Sequence, residues 1–563
     1  MRLGPASRTS RFTHIVLAVA CLFGSASLAH AQSSALGLVY SSANTDTQSV
    51  IGIFNGTSST DWMSSGQTVT LSLRDGATGA EIGQWTSPSL KAGVAKQFAI
   101  TEIEKGLLPG TVKPATYAIT VNAAKAGMAV QHIVARAGVL SNATACGTGV
   151  STHGKALLNV RGSLTAGDYP STVVITNSDV KQSALKIELY DAEGGYFMGS
   201  FPTPIIPAGG TVMMSVDAME AAAKIRPNRF TPSYVVRFGQ SFDGGYNFVG
   251  FLQNLVNNTK SGAITDLTAY CPIGGPEPYY RSKDGILHSG PVFSSQNATA
   301  QSTLQFANTD TVAGTVTLTL QDVAAGTTLG TWTSPSIPVG AARAFSIRDI
   351  ESAMTAKPSL YSLKVQSTFA GELQHTLNNT LAPVPTDVST CDYGTGAPLT
   401  RLNGVNSSRV AATARSAVAI TNTGAAAPAT LALYDAETGT RLGSGATPSI
   451  PAGGQLVMSI ADLEAAAQVA PTSAQVRYVV RLEGAFSGFL QHLVAGANGG
   501  AIIDTTVSCR LELPPNTGRI NNPPPPGATI ADVPEGVDLA NLPEGIDLSG
   551  ISPELLALIN SLI

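Results

Sequence analysis

The chain of 563 residues carries 33 basic and 37 acidic side chains, and only 12% of its residues are charged. That balance argues against a nucleic-acid partner, because neutralising phosphates needs a basic face and none is apparent. Thr, Ser, Ala and Gly are abundant beside this sparse charge, which suits β-sheet surfaces dressed with hydroxyls better than solvent-facing helices. An all-β protein is the expectation.

Arg2, Arg8 and Arg11 precede the apolar run IVLAVACLF and the small-residue ending Ala29-His30-Ala31. This is the layout of a secretory signal peptide, residues 1–31, and it predicts a secreted protein at the outer cell surface or in the periplasm. Cleavage after Ala31 would leave 30 basic against 37 acidic side chains, a net charge of −7. Cys21, preceded by AVA, is the alternative as a lipid-attachment residue, although the apolar run continues past it. No later segment is a long uninterrupted apolar run, so no transmembrane helix is expected.

Internal repetition is the strongest signal. TVTLSLRDGATGAEIG (68–83) matches TVTLTLQDVAAGTTLG (315–330), and ALKIELYDAEGGYFMG (184–199) matches ATLALYDAETGTRLG (429–443). The shared element is a strand ending in D-x-x-x-G, with Asp75, Asp191, Asp322 and Asp435 four residues before Gly79, Gly195, Gly326 and Gly439. The spacing predicts a short hairpin whose Asp bonds its own turn's backbone and whose Gly takes a positive φ. One carboxylate per copy cannot supply the oxygens a calcium ion needs. Segments around Glu104, Glu220, Glu351 and Glu464 read as one or two helical turns, with Ser215 and Ser459 as N-caps. Copies one and three share W-T-S-P-S, and copies two and four share Y-D-A-E and P-A-G-G. Trp85 lies 247 residues before Trp332, and Cys146 lies 245 before Cys391, so the unit duplicated last was a pair.

About seven short alternating strands per copy, separated by turn signals, describe an antiparallel β-sandwich. In strand rhythm and turn chemistry, residues 35–512 resemble the tandem immunoglobulin-like sandwich proteins that bacteria export to their surfaces. The resemblance implies four tandem Ig-like domains in two related pairs, but carries no family catalytic or binding residue. The domains are expected at 32–150, 151–283, 284–395 and 396–512, with a Pro-rich linker and acidic, apolar tail at 513–563. Such an array extends reach and repeats its surfaces.

One place recurs with a polar pair inside an apolar strand: AVQHIV around His132, FLQNLV around Asn254, ELQHTL around His375 and GFLQHLV around His492. Strand alternation puts His492 on one face with Leu490 and Val494, and His375 with Leu373 and Leu377. The slot holds Asn in one copy, which replaces a neutral imidazole as a hydrogen-bonding group but not as a proton shuttle. The four side chains are therefore read as buried structural polar groups, with the recurrent Glu or a nearby main-chain group as partner.

Cys146, Cys271, Cys391 and Cys509 each close one copy and number four in an exported chain, so disulfides are expected. Three connectivities exist. The duplicated pair favours Cys146 with Cys271 and Cys391 with Cys509; four buried thiols are the alternative. Zinc is not indicated, because no C-x-x-C or clustered Cys/His spacing accompanies them. There is no G-x-S-x-G, H-E-x-x-H or P-loop, and His153 and His288 lie outside the common slot. No catalytic, cofactor-binding or metal residue is nominated, and no cofactor is expected. A polysaccharide ligand is the runner-up, although only Trp62, Trp85 and Trp332 are available as platforms and two of these fit core packing. An enzyme with an unrecognised site is the third reading.

LPPNTG (513–518) lacks the membrane span and basic end of a sortase signal. NNPPPPG is a stiff linker. VPEGVDLAN, LPEGIDLSG and ISPELLALI then form three loose nine-residue repeats, ending in an expected helix from Ser552. Exposed apolar residues at a free end suit docking onto a cell-surface component or another protein. The sequence thus predicts a bacterial cell-surface structural or adhesive element, not an enzyme.

Overall fold

The computed structural model describes residues 34–511, apart from 57–65, 108–109, 124–127, 146–155, 178–181, 240–249, 275–285, 355, 381–383, 392–398, 413, 497–499 and 507–508. The leader, Cys146, His153, Trp62 and the tail lie outside the described residues. Among the described residues every strand pairing is antiparallel, and the strands form eight sheets of four or five, none closed into a barrel.

In the first quarter, one sheet runs Ser34–Tyr40, Thr116–Ala123, Val69–Asp75, Glu81–Thr86. The other contains Ala95–Ala99, Thr47–Asn55 and Met128–Arg136, with Val139–Asn142 on the far edge. The same order returns in each later quarter. Some strands alternate, as buried Ile187, Leu189 and Asp191 do with more exposed Lys186, Glu188 and Tyr190, whereas others, such as Gly250–Asn257 and Gly488–Gly496, are buried along most of their length. Side chains from both sheets of a quarter meet in one apolar core: Leu36, Leu71, Ile119, Ile53 and Val130 in the first, Leu402, Leu431, Val480, Ile420 and Leu490 in the fourth. Short helices Ile100–Glu104, Val216–Ala222, Ile347–Ile350 and Ile460–Ala466 plug one end.

In each plug the recurrent glutamate faces inward. Glu104, Glu220 and Glu464 accept from the hydroxyls of buried Tyr117, Tyr234 and Tyr478, at 3.1, 2.9 and 2.9 Å. The same carboxylates and Glu351 accept from the backbone N–H of Ser42, Ser163, Ser408 and Ser295 at 2.9 to 3.1 Å, which fixes the turn after the first strand. The tyrosine hydroxyls are pushed up in pKa by burial and then by the carboxylate, so they stay donors.

The quarters are not strung out as a line; they close into a cycle. The residue after each D-x-x-x-G aspartate offers its carbonyl to the next quarter: Gly76 to Thr211, Ala192 to Ala342, Val323 to Gln455, and Ala436 of the fourth quarter to Ala95 of the first, at 2.6 to 3.2 Å. Strands cross the boundaries too. Cys271–Ile273, at the end of the second quarter, pairs with Gly371–Asn379 of the third, and Cys509–Leu511 pairs with Met128–Arg136 of the first. Val139, Ala263, Val384 and Ala501, one from each quarter, meet in a single apolar cluster. The sequence expectation of an extended array is corrected by these contacts: a cycle buries four junctions, whereas a line of four quarters buries three.

Candidate functional site

The D-x-x-x-G turn shows why this local chemistry recurs. Asp75 accepts from the N–H groups of Ala77 and Thr78 at 2.9 and 2.7 Å, and Asp322 and Asp435 hold their turns in the same way. Gly79, Gly195, Gly326 and Gly439 sit at φ of 64 to 72°, in the left-handed region. They also receive the neighbouring quarter. A Cβ on Gly195 would lie 2.1 Å from Val339 O, and one on Gly79 would lie 2.7 Å from Ala208 O. The turn is thus a docking element, and its second function was invisible in one copy read alone.

The polar pair on the central strand divides between two tasks. His132, Asn254, His375 and His492 are buried. Nε2 of His132, His375 and His492 lies 2.9, 2.7 and 2.8 Å from the hydroxyl of Ser49, Ser302 and Ser416, on the adjacent strand. Nδ1 of His492 also meets the Thr505 hydroxyl at 2.6 Å. Asn254 donates to Asn159 O at 2.9 Å. The glutamate proposed from sequence as the histidine's partner is therefore replaced by a serine, because the glutamate belongs to the tyrosine at the far end of the quarter. Burial drives the imidazoles down, to about 4 for His132 and about 3 for His375 and His492, so each is neutral at physiological pH.

The preceding glutamine does what sequence reasoning missed. Gln253 donates to Ala143 O at 3.3 Å and accepts from Leu38 N at 3.0 Å, both in the first quarter. Gln374 donates to Leu267 O of the second at 2.8 Å, and Gln491 to Val388 O of the third at 3.2 Å. Gln131 completes the cycle by donating to Thr505 O of the fourth. The available signal was its presence in all four copies, one residue out of phase with the core-facing slot.

The same amides hold buried carboxylates. Gln253, Gln374 and Gln491 donate to Asp266, Asp387 and Asp504 at 2.9, 2.9 and 2.7 Å; the first quarter has Asn142 at this position. Burial raises the carboxyls, to about 6 for Asp266 and about 8 for Asp387, with Asp504 shifted in the same direction. Among the described residues no three His, Cys, Asp or Glu side chains gather as metal ligands would. The carboxylates face amides and hydroxyls, and their chemistry is that of junction hydrogen bonds.

Cys271 and Cys391 are joined by a disulfide, with Cα atoms 6.3 Å apart. The pairing favoured from sequence, Cys146 with Cys271 and Cys391 with Cys509, is corrected: the strand carrying Cys271 crosses into the third quarter and lies in the same core as Cys391. Strand exchange was not legible in the repeat boundaries. Trp85 and Trp332 pack edge-on against Phe98 and Phe345, with centroids 4.9 Å apart, as partners of the core.

Between the fourth and first quarters lies a cleft of 260 Å³. Gly404, Asn406 and Arg477 line it from one side, and Gln97, Ile133 and Leu140 from the other. Burial lowers the pKa of the Arg477 guanidinium, and the nearby charge of Glu437 opposes that shift. Among the described residues neither the Arg477 guanidinium nor the Gln97 side chain has a hydrogen-bonded or ion-paired partner, and Glu437 is itself paired with Lys96 at 3.1 Å.

No helix among the described residues is long and apolar enough to cross a membrane. No family model matches the chain, and no curated protein matches it.

Proposed function

We propose that the chain is an exported bacterial cell-surface protein with a structural or adhesive role, whose eight sheets pack as four immunoglobulin-like sandwiches in two related pairs. The observation that carries this reading is the cycle. The recurrent polar residues that sequence singles out are engaged in hydrogen bonds that join quarters (glutamine), tie strands within a quarter (histidine, glutamate) or close turns (aspartate). A body organised in this way is a stable platform, and residues 519–563 are the segment available for attachment, with apolar and acidic repeats suited to a partner surface. Packing of Trp85 and Trp332 against core phenylalanines leaves the carbohydrate-binding alternative without an aromatic platform from these two residues.

The test is deletion of residues 519–563 in the producing cell, followed by surface labelling and fractionation. Release of a folded, exported body from the cell surface is the expected result. Full retention of the truncated protein would overturn attachment through the tail, and turnover of a polymer by the purified chain would overturn the non-enzymatic reading.

A further inference from the structure

The four junctions are built on equivalent positions, and the fourth keeps the aliphatic side of the first and third without their aromatic ring. Tyr40, Arg161, Phe293 and Asn406 occupy one position, since the backbone N–H of each donates to the hydroxyl of Ser49, Ser171, Ser302 or Ser416 at 2.8 to 3.2 Å. At the first junction Tyr40 joins an apolar cluster with Leu255 and Ile264 of the second quarter. At the third, Phe293 joins Leu493 of the fourth quarter, with Ile502 and Leu360 packed against them. The counterparts of these aliphatic pairs in the first quarter are Ile133 and Leu140, by their place relative to His132 and Asn142. They line the 260 Å³ cleft, facing Asn406 and Gly404 where the first and third junctions put an aromatic ring and the second puts Arg161. The position of Leu360 is taken by Arg477, whose nearest named opposite charge, Glu437, is itself paired with Lys96.

From this substitution pattern we infer that the cleft between the fourth and first quarters is a binding site for a small aromatic carboxylate. The ring would take the place that Tyr40 and Phe293 fill from within the chain, against Ile133 and Leu140, and the carboxylate would meet Arg477, with the Gln97 and Asn406 amides at hand. An apolar cavity of about 150 Å³ holds benzene, so the cleft has room for a ring and its acid group. An unpaired, partly buried guanidinium is costly unless an anion meets it, and a planar carboxylate matches its fork. The shared chemistry, a ring joined to a carboxylate by a short link, occurs in free aromatic acids and in the C-terminal residue of a peptide ending in Phe or Tyr.

The test is calorimetric titration of the full mature chain with 3-phenylpropionate, N-acetyl-glycyl-phenylalanine and the uncharged 3-phenylpropionamide. Saturable binding of at least one acid is expected, about tenfold or more tighter than the amide, and Arg477→Gln should reduce it to the amide's level. Preference between the two acids identifies the free or the peptide source. Asn406→Tyr restores the side chain of the first quarter; it should abolish binding and raise the melting temperature. Absence of binding by both acids at about 10 mM would overturn the proposal. So would undiminished binding to Arg477→Gln or to a folded Asn406→Tyr protein.

Discussion

The side-chain amide of Gln131 donates to the carbonyl oxygen of Thr505, which lies 374 residues further along the chain. The bond is equivalent to those from Gln253 to Ala143, Gln374 to Leu267 and Gln491 to Val388, but it runs from the first quarter to the last, so it tests closure of the cycle alone. Gln131→Met keeps the side-chain length and removes the donor. We expect a loss of about 1–3 kcal/mol in denaturant unfolding, with faster amide exchange on the strand Cys509–Leu511. Unchanged stability and exchange would show that the seam is held without this bond.

Gly195 and Gly262 separate docking from backbone strain. Both have positive φ, 72° and 75°, but a Cβ on Gly195 meets Val339 O at 2.1 Å whereas one on Gly262 meets nothing within 4 Å. Gly262→Ala should cost about 1–2 kcal/mol, the price of a left-handed alanine. Gly195→Ala should cost clearly more, because the third quarter must also move away. Equal melting temperatures for the two variants would contradict a docking role for the turn.

The slot shared by histidine and asparagine predicts an asymmetric pair of variants. His375→Asn copies the second quarter and should fold with a small loss. His375→Leu leaves the buried Ser302 hydroxyl without its imidazole partner and should cost about 1–3 kcal/mol more. Chemical denaturation of both proteins decides it, and a leucine variant as stable as the asparagine variant would count against the assignment.

Stability should depend on pH in two opposed ways. The folded-state pKa of His132, His375 and His492 is lowered, so the unfolded chain binds more protons below about 6.5, and stability is lost as pH falls from there toward 3 to 4. The folded-state pKa of Asp266 and Asp387 is raised, to about 6 and about 8, so the folded chain holds more protons and stability is lost as pH rises through that window. Above the histidine range Asp387 acts together with Glu372, which burial raises to about 7, and with Asp504, raised in the same direction. Unfolding free energy should therefore decline between about pH 6.5 and pH 8.5, and Asp387→Asn, which copies Asn142 of the first quarter, should make that limb shallower.

Reduction of the Cys271–Cys391 bond opens a loop of 120 residues, and Cys391→Ser should lower stability by about 2–5 kcal/mol. A non-reducing peptide map checks the connectivity. On the first quarter's sheet Cys509 pairs with Val130, as Cys271 pairs with Leu373 on the third's. The same map is therefore expected to show Cys509 linked to Cys146, with S–S formation oxidising the two thiols by exchange with a disulfide donor. Free thiols at both positions would refute that expectation.

What the sequence determined by itself was local and periodic. The D-x-x-x-G spacing specified a hairpin because aspartate can bond its own turn and glycine takes the left-handed backbone angle without strain, and both effects act within five residues. Strand alternation likewise placed His132, His375 and His492 in buried positions. Only the tertiary structure decided which groups meet across hundreds of residues: Gln131 with Thr505, Cys271 with Cys391, Asn406 with Ile133 across a cleft. A repeat states which positions are equivalent, but not whether the surfaces of successive copies close on themselves. Closure depends on the angle at each junction, set by packing such as Gly195 against Val339, and no single copy encodes that angle.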